Sequence, residues 1–79
     1  MDDKPDVVAI EFIRLPEVKR LTGLSTATIY RMAKIGEFPR QIKIGEQAVA
    51  WIKSEVLAWS IEKIRATRRQ LREARTRGR

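Results

Sequence analysis

The stretch Thr22-Gly23-Leu24-Ser25-Thr26-Ala27-Thr28-Ile29-Tyr30-Arg31 decides the fold of this chain. Gly23 is free to take the positive φ that ends a helix, and the Ser25 hydroxyl can accept from the first unpaired N–H groups of the next one. The spacing predicts a helix over 26–35, stopped by Gly36. With successive side chains turned by 100°, Ile29, Met32 and Ala33 share one side of that helix, and Ala27, Tyr30, Arg31 and Lys34 share the other. The first set reads as core. The second offers a small residue that permits close approach, an aromatic hydroxyl and two cations. Upstream, Leu15 to Gly23 reads as a second helix, with Pro16 in its first turn, Glu17 at its positive pole and Lys19 and Arg20 near its negative pole. Two short helices meeting at Gly23 form a helix-turn-helix candidate. Because such pairs also occur in many small α domains, the rest of the chain has to decide.

After Gly36 the hydrophobic period falls from 3.6 to 2. Phe38-Pro39 breaks the helix, and Gln41-Ile42-Lys43-Ile44 alternates before a turn at Gly45-Glu46-Gln47 and a strand at Ala48-Val49-Ala50-Trp51-Ile52. This is a hairpin over 41–52, with Ile42 and Ile44 expected to face inward and Arg40, Lys43 and Gln47 on the rim and tip. Beside a helix pair such a projection is a wing, able to reach the backbone or minor groove while the helix occupies the major groove. Cations on an edge strand also discourage aggregation, so Arg40 and Lys43 count toward DNA only in that company. Phe12 to Leu15 is a candidate third extended segment. A last helix follows, with Ser54 as its expected N-cap, Glu55 in its first turn, and Leu57, Ile61 and Ile64 as a core-facing stripe down to about Arg65. Trp59 lies off that stripe near Val56, either wedged against the other elements or in contact with another copy; the first is favoured because large aromatics in small domains are mostly core.

Seventy-nine residues suffice for one domain with a modest core and no large catalytic cleft. The expected organisation is a loose N-terminal segment over 1–11, in which Val7 to Ile10 is apolar enough to dock, a domain over 12–65, and an Arg-rich tail over 66–79 that either extends the last helix or is disordered. The chain has neither cysteine nor histidine, so no disulfide or zinc site of the usual ligand types supplements the core. No metal, cofactor or small-molecule ligand is expected. No apolar run approaches a membrane span, and Met1-Asp2-Asp3 is unlike a signal peptide, which points to a cytoplasmic, nucleoid-associated protein. The net charge of +7 is uneven. Residues 1–13 sum to −3, residues 14–64 to +4 and residues 65–79, with seven arginines against Glu73, to +6. A cluster of that density neutralises phosphates, although a solvated helix end would look the same. Enzymatic readings fare poorly: no glycine-rich phosphate loop or paired carboxylates appear, and a nucleophile would lack a histidine base.

Several linked motifs in unbroken order carry a family resemblance. Arg14-Leu15-Pro16-Glu17-Val18, Thr22-Gly23-Leu24-Ser25, Thr28-Ile29-Tyr30-Arg31, Gly36-Glu37-Phe38-Pro39-Arg40, Lys43-Ile44-Gly45, Ala48-Val49-Ala50-Trp51 and Glu55-Val56-Leu57-Ala58-Trp59 together resemble the AlpA family of phage and prophage regulators, over about residues 12 to 65. The resemblance implies a mainly α fold with a small β hairpin, a winged helix-turn-helix of the MerR-like and excisionase-like group, and a regulator that binds duplex DNA. Ser25, Thr26, Ala27, Thr28, Tyr30 and Arg31 would lie on the recognition helix, Arg40, Lys43 and Gly45 in the wing, and Trp51 in the core beneath the hairpin. Gln47 departs from the pattern, since relatives often carry arginine at the tip, and lowers the phosphate affinity expected there.

Among these residues Arg31 is the candidate for a bidentate contact to guanine; Tyr30 and Thr28 suit phosphate oxygens, Ala27 a thymine methyl, and Lys34, Arg40 and Lys43 the backbone. Two other readings stay open. One is an excisionase-type directionality factor that bends DNA for an integrase. The other is a module in which the basic tail and Trp59 bind an acidic protein surface, such as that of an integrase or RNA polymerase, or in which the tail binds RNA. A single short recognition helix buries little surface, so pairing of the protein with itself on DNA is a further expectation.

Overall fold

A computed structural model describes residues 9–77. The elements run β1 (Phe12–Ile13), α1 (Leu15–Thr22), α2 (Thr26–Lys34), β2 (Ile42–Gly45), β3 (Ala48–Ile52) and α3 (Lys53–Arg77). The chain is mostly helical with a small antiparallel sheet of three strands in the order β1-β3-β2. Among the described residues no helix is long and apolar enough to cross a membrane.

Local chemistry explains the first half. Pro16 sits at the start of α1, where a missing N–H costs nothing, and the Arg14 carbonyl accepts from the N–H groups of Glu17 and Val18 at 3.0 Å. Gly23 ends α1 in the left-handed conformation at φ 76°, and its N–H closes the helix on the Lys19 carbonyl at 2.7 Å. The Ser25 hydroxyl accepts from the Thr28 N–H at 3.2 Å, so it is the cap that the sequence predicts. At its far end α2 stops at Lys34, and Gly36 turns the chain away at φ 82°.

The third extended segment is present but short. Only Phe12 and Ile13 pair with β3, opposite Ile52 and Trp51, and Leu15 already belongs to α1. The Lys53 N–H extends this ladder by donating to the Glu11 carbonyl at 2.8 Å, which ties residue 11 to the sheet where the sequence predicts a loose segment. Val7 and Val8 lie outside the described residues, and Ala9 and Ile10 are exposed.

The core is one cluster of Ile13, Val18, Ile29, Ala33, Phe38, Trp51 and Val56, all buried. Trp51 is its largest member, fully out of solvent beneath the hairpin, where the resemblance puts it. Ile29 and Ala33 bring α2 to this cluster, and Val18 brings α1.

Hairpin parity is opposite to the sequence expectation. Directly opposed residues of an antiparallel pair share a face, and the register sets Lys43 against Val49 and Ile42 against Ala50. Val49 has the same parity as the buried Trp51, so Lys43 stands on the Trp51 side of the sheet and Ile42 on the other, opposite the equally buried Ala50. An extra residue between Lys43 and Gly45 bulges the strand at Ile44. Ile42 and Ile44 are therefore exposed instead of inward. Alternation alone could not choose between the two faces, because one register step exchanges them all.

The last helix also departs from expectation. It begins at Lys53, directly after β3, so Ser54 is already inside it and does not cap it. Val56 is its buried contact, with Trp59 half-buried beside it, whereas Leu57, Ile61 and Ile64 are exposed. The two sides lie roughly 130° apart around the helix, so only one can meet the body. The large indole goes in and the aliphatic stripe goes out. The helix continues beyond Arg65 to Arg77, the first of the two alternatives left open for the tail, about 37 Å in all at 1.5 Å per residue. Its projection makes the molecule elongated, with principal extents of 58 × 36 × 21 Å.

Candidate nucleic-acid interface

The outer side of α2 is polar and cationic because its inner side is spent on the core. Ala27, Arg31 and Lys34 are exposed, and Thr26 and Thr28 are half-buried. The Ser25 hydroxyl donates to the Thr28 Oγ at 3.0 Å while accepting from the Thr28 N–H, which commits Ser25 to the cap. As the first residues of a helix, Thr26 and Ala27 carry N–H groups with no partner in the turn before them, which gives this end a local positive pole.

Tyr30 does not project as expected. Its ring is half-buried and packs against the core, edge-on to Trp51 with ring centroids 5.8 Å apart and planes at 64°. The position between the polar and apolar arcs of α2 explains this: an aromatic ring there gains more from Trp51 than from water. Tyr30 still borders the surface, where with Lys34, Arg40 and Gln41 it lines a small cleft between α2 and the entry to the hairpin. Three sequence-predicted residues meet in that cleft. Gln41 was missed, and its only sequence signal was its place at the head of the alternating run.

The hairpin holds its own candidates at the far end. Lys43 is exposed on the edge strand β2, on the Trp51 side of the sheet, and Gln47 is exposed in the tight turn with Glu46. Gly45 closes β2 opposite Ala48 and is not one of the positive-φ glycines, so it ends the strand instead of forming the turn.

What fixes the hairpin against α2 is a pair of indoles. The Trp51 N–H donates to the Pro39 carbonyl at 3.1 Å, and the Trp59 N–H donates to the Glu37 carbonyl at 2.8 Å. Between those two carbonyls Phe38 is buried and meets Trp59 edge-on at 4.8 Å. The linker from α2 to β2 is thus gripped from β3 and from α3. Sequence reading placed Trp51 correctly and favoured an inward Trp59, but the linker contacts of both lay beyond it. Arg14 was likewise missed as a support: its Nε donates to the Val49 carbonyl at 2.9 Å and joins the start of α1 to the hairpin.

Electrostatics around α2 are simple. Arg31, Lys34, Arg40 and Lys43 are all exposed cations. The resolved shifts lie away from them, on α1, where a hydrogen bond from Arg20 holds the Glu17 carboxyl below its usual value and raises Arg20 in turn. That pair is open to water and contributes little to stability.

Residues 11–64 match the family model described as prophage CP4-57 regulatory protein (AlpA). An uncharacterized protein, ORF88 of Enterobacteria phage P4, is 46% identical over 65 residues, which cover 82% of this chain and 74% of the phage protein. The DNA-binding transcriptional activator AlpA of Escherichia coli K12 is 33% identical over 57 residues, covering 65% of this chain and 81% of that protein. The match spans β1 through the first half of α3 and includes every residue of the surface just described. By that match the chain belongs to the AlpA family of prophage regulatory proteins.

Proposed function

We propose that this chain is a sequence-specific regulator of a prophage or other integrated element that binds duplex DNA as a winged helix-turn-helix. In this reading α2 enters the major groove and the hairpin over 41–52 is the wing, on the backbone or in the adjacent minor groove. The observation that carries it is the division of α2: Ile29 and Ala33 are buried while Ala27, Arg31 and Lys34 are exposed, next to the Arg40 that begins the hairpin. The relative named as a DNA-binding transcriptional activator supports the same assignment. Lys43 on the Trp51 side of the sheet suits a phosphate contact beside α2, and the N-terminal N–H groups of α2 suit another.

Competition distinguishes the classes of ligand. Labelled duplexes selected from a random pool are challenged with bulk duplex, structured RNA and no competitor. Retention of the selected duplex against a large excess of bulk DNA is expected, and efficient displacement by RNA alone would remove the reading.

The tail enters as a second, sequence-independent contact. Five of the six arginines of residues 66–79 precede the last described residue or coincide with it, on one continuous helix. Deleting residues 66–79 is expected to flatten the plot of log affinity against log salt, by about 0.9 for each phosphate that the tail neutralises. An unchanged slope would show that the tail touches no phosphate.

A further inference from the structure

We infer that the cleft between α2 and the entry to the hairpin seats a single phosphate of the DNA backbone, held jointly by Tyr30, Lys34, Arg40 and Gln41; this rests on the proposed placement of α2 and the hairpin in adjacent grooves and adds how the strand between them is gripped. A helix in the major groove and a wing in the neighbouring minor groove lie on opposite sides of one sugar–phosphate strand, so whatever joins them must straddle that strand. In this chain the joining stretch runs from Lys34 to Gln41, and the cleft opens between its two ends. Tyr30 and Lys34 line it from α2, four residues apart on one side of the helix, and Arg40 and Gln41 line it from the approach to β2.

The lining is that of an anion site. Lysine and arginine can only donate, a tyrosine hydroxyl and a glutamine amide can donate as well, and no carboxylate lines the cleft. Among the described residues none of the four polar groups is spent on the protein: Lys34 and Arg40 form no ion pair, and no side chain of the four makes a hydrogen bond. A half-buried tyrosine hydroxyl without a protein partner is left to water or a ligand. The carbonyls at the end of α2, which would repel an anion, are partly neutralised, since those of Arg31, Met32 and Ala33 accept from the N–H groups of Ile35, Glu37 and Gly36 at 3.3, 2.8 and 3.2 Å. One buried indole also sets both walls. Trp51 meets the Tyr30 ring edge-on, and its N–H holds the Pro39 carbonyl next to Arg40, so the roots of Tyr30 and Arg40 are fixed relative to each other before a ligand arrives. Lys34 and Arg40 are exposed, as a strand passing over the cleft requires.

Neutral methylphosphonates placed one at a time along a duplex selected from a random pool test this by fluorescence anisotropy. One position is expected at which the substitution weakens the parent chain about tenfold, the size of one charge-assisted contact, and weakens Tyr30→Phe, which keeps its ring on Trp51, about threefold less than that. Gln41→Glu puts a carboxylate of the same shape into the cleft; it should bind the unmodified duplex about tenfold more weakly and regain most of that loss at the same position and no other. Far-ultraviolet circular dichroism should be unchanged in both variants. Losses that simply multiply at every position, or coupling of the two variants to different phosphates, overturn the shared seat and leave the placement of α2 and the hairpin standing. Failure of that placement shows separately, as displacement of the selected duplex by bulk DNA, and removes the seat with it. Titration of the free chain with inorganic phosphate distinguishes a strand from a small anion: weak shifts of the Gln41 amide that do not saturate are expected, and saturation at submillimolar phosphate would assign the cleft to the small anion and overturn the strand.

Discussion

Replacement of Trp51 by alanine is expected to remove a large share of the stability of this chain. Trp51 is fully buried at the centre of the core, and removal of so large a side chain typically costs about 3 to 5 kcal/mol through forfeited transfer energy and the cavity left behind. A domain of this length holds only about 4 to 12 kcal/mol in total, from the usual 0.05 to 0.15 per residue. The variant also strips the Pro39 carbonyl of its indole partner and removes the ring against which Tyr30 leans. Thermal unfolding followed by circular dichroism should show the midpoint falling by more than about 12 °C, at 4 to 8 °C per kcal/mol for a small domain. A drop of only a few degrees would mean that the core closes around the gap and that Trp51 is not its keystone.

The second large effect is on recognition and leaves the fold intact. Arg31 is exposed on α2, so Arg31→Ala leaves the core untouched and should unfold at the parent temperature. On the proposed interface it should weaken binding to a selected duplex by about 5- to 150-fold, the equivalent of the 1 to 3 kcal/mol that a bidentate contact to a base contributes to discrimination. Binding to random-sequence duplex should fall much less. Fluorescence anisotropy on the two duplexes at one salt concentration separates the cases, and equal losses on both would reassign Arg31 to the phosphate backbone.

Around α1 and α2, where residues act through backbone chemistry, the sequence was a reliable guide, whereas Ser54 and Gly45 were read as a cap and a turn residue that the structure does not use as such. Gly23, Ser25, Pro16 and Gly36 each permit few conformations or offer one obvious hydrogen bond, and the structure uses them as read. Where the outcome depends on which apolar set wins a single buried side, sequence was a poor guide. The hairpin offered isoleucines on one face and valine with tryptophan on the other; Trp51 joins the core cluster, and on the opposite face only the small Ala50 is buried while Ile42 and Ile44 stay exposed. In α3 the indole of Trp59 outweighed three aliphatic residues because it could also hydrogen-bond the Glu37 carbonyl. Tyr30 shows the same rule on α2, where proximity to Trp51 turned a residue with an outward helical position partly inward. These are contests between residues far apart in sequence, and no local pattern records their result.

The grip of two indoles on carbonyls only two residues apart bears on how such a protein can diversify. Any insertion or deletion between Gly36 and Pro39 would pull at least one carbonyl away from its donor, so the rest of the body fixes the length of that connection. The Glu46–Gln47 tip, wholly on the surface, carries no such constraint. Descendants can therefore alter the reach and charge of the tip in small steps while its distance from α2 stays constant, much as a tool changes its bit without rebuilding the handle.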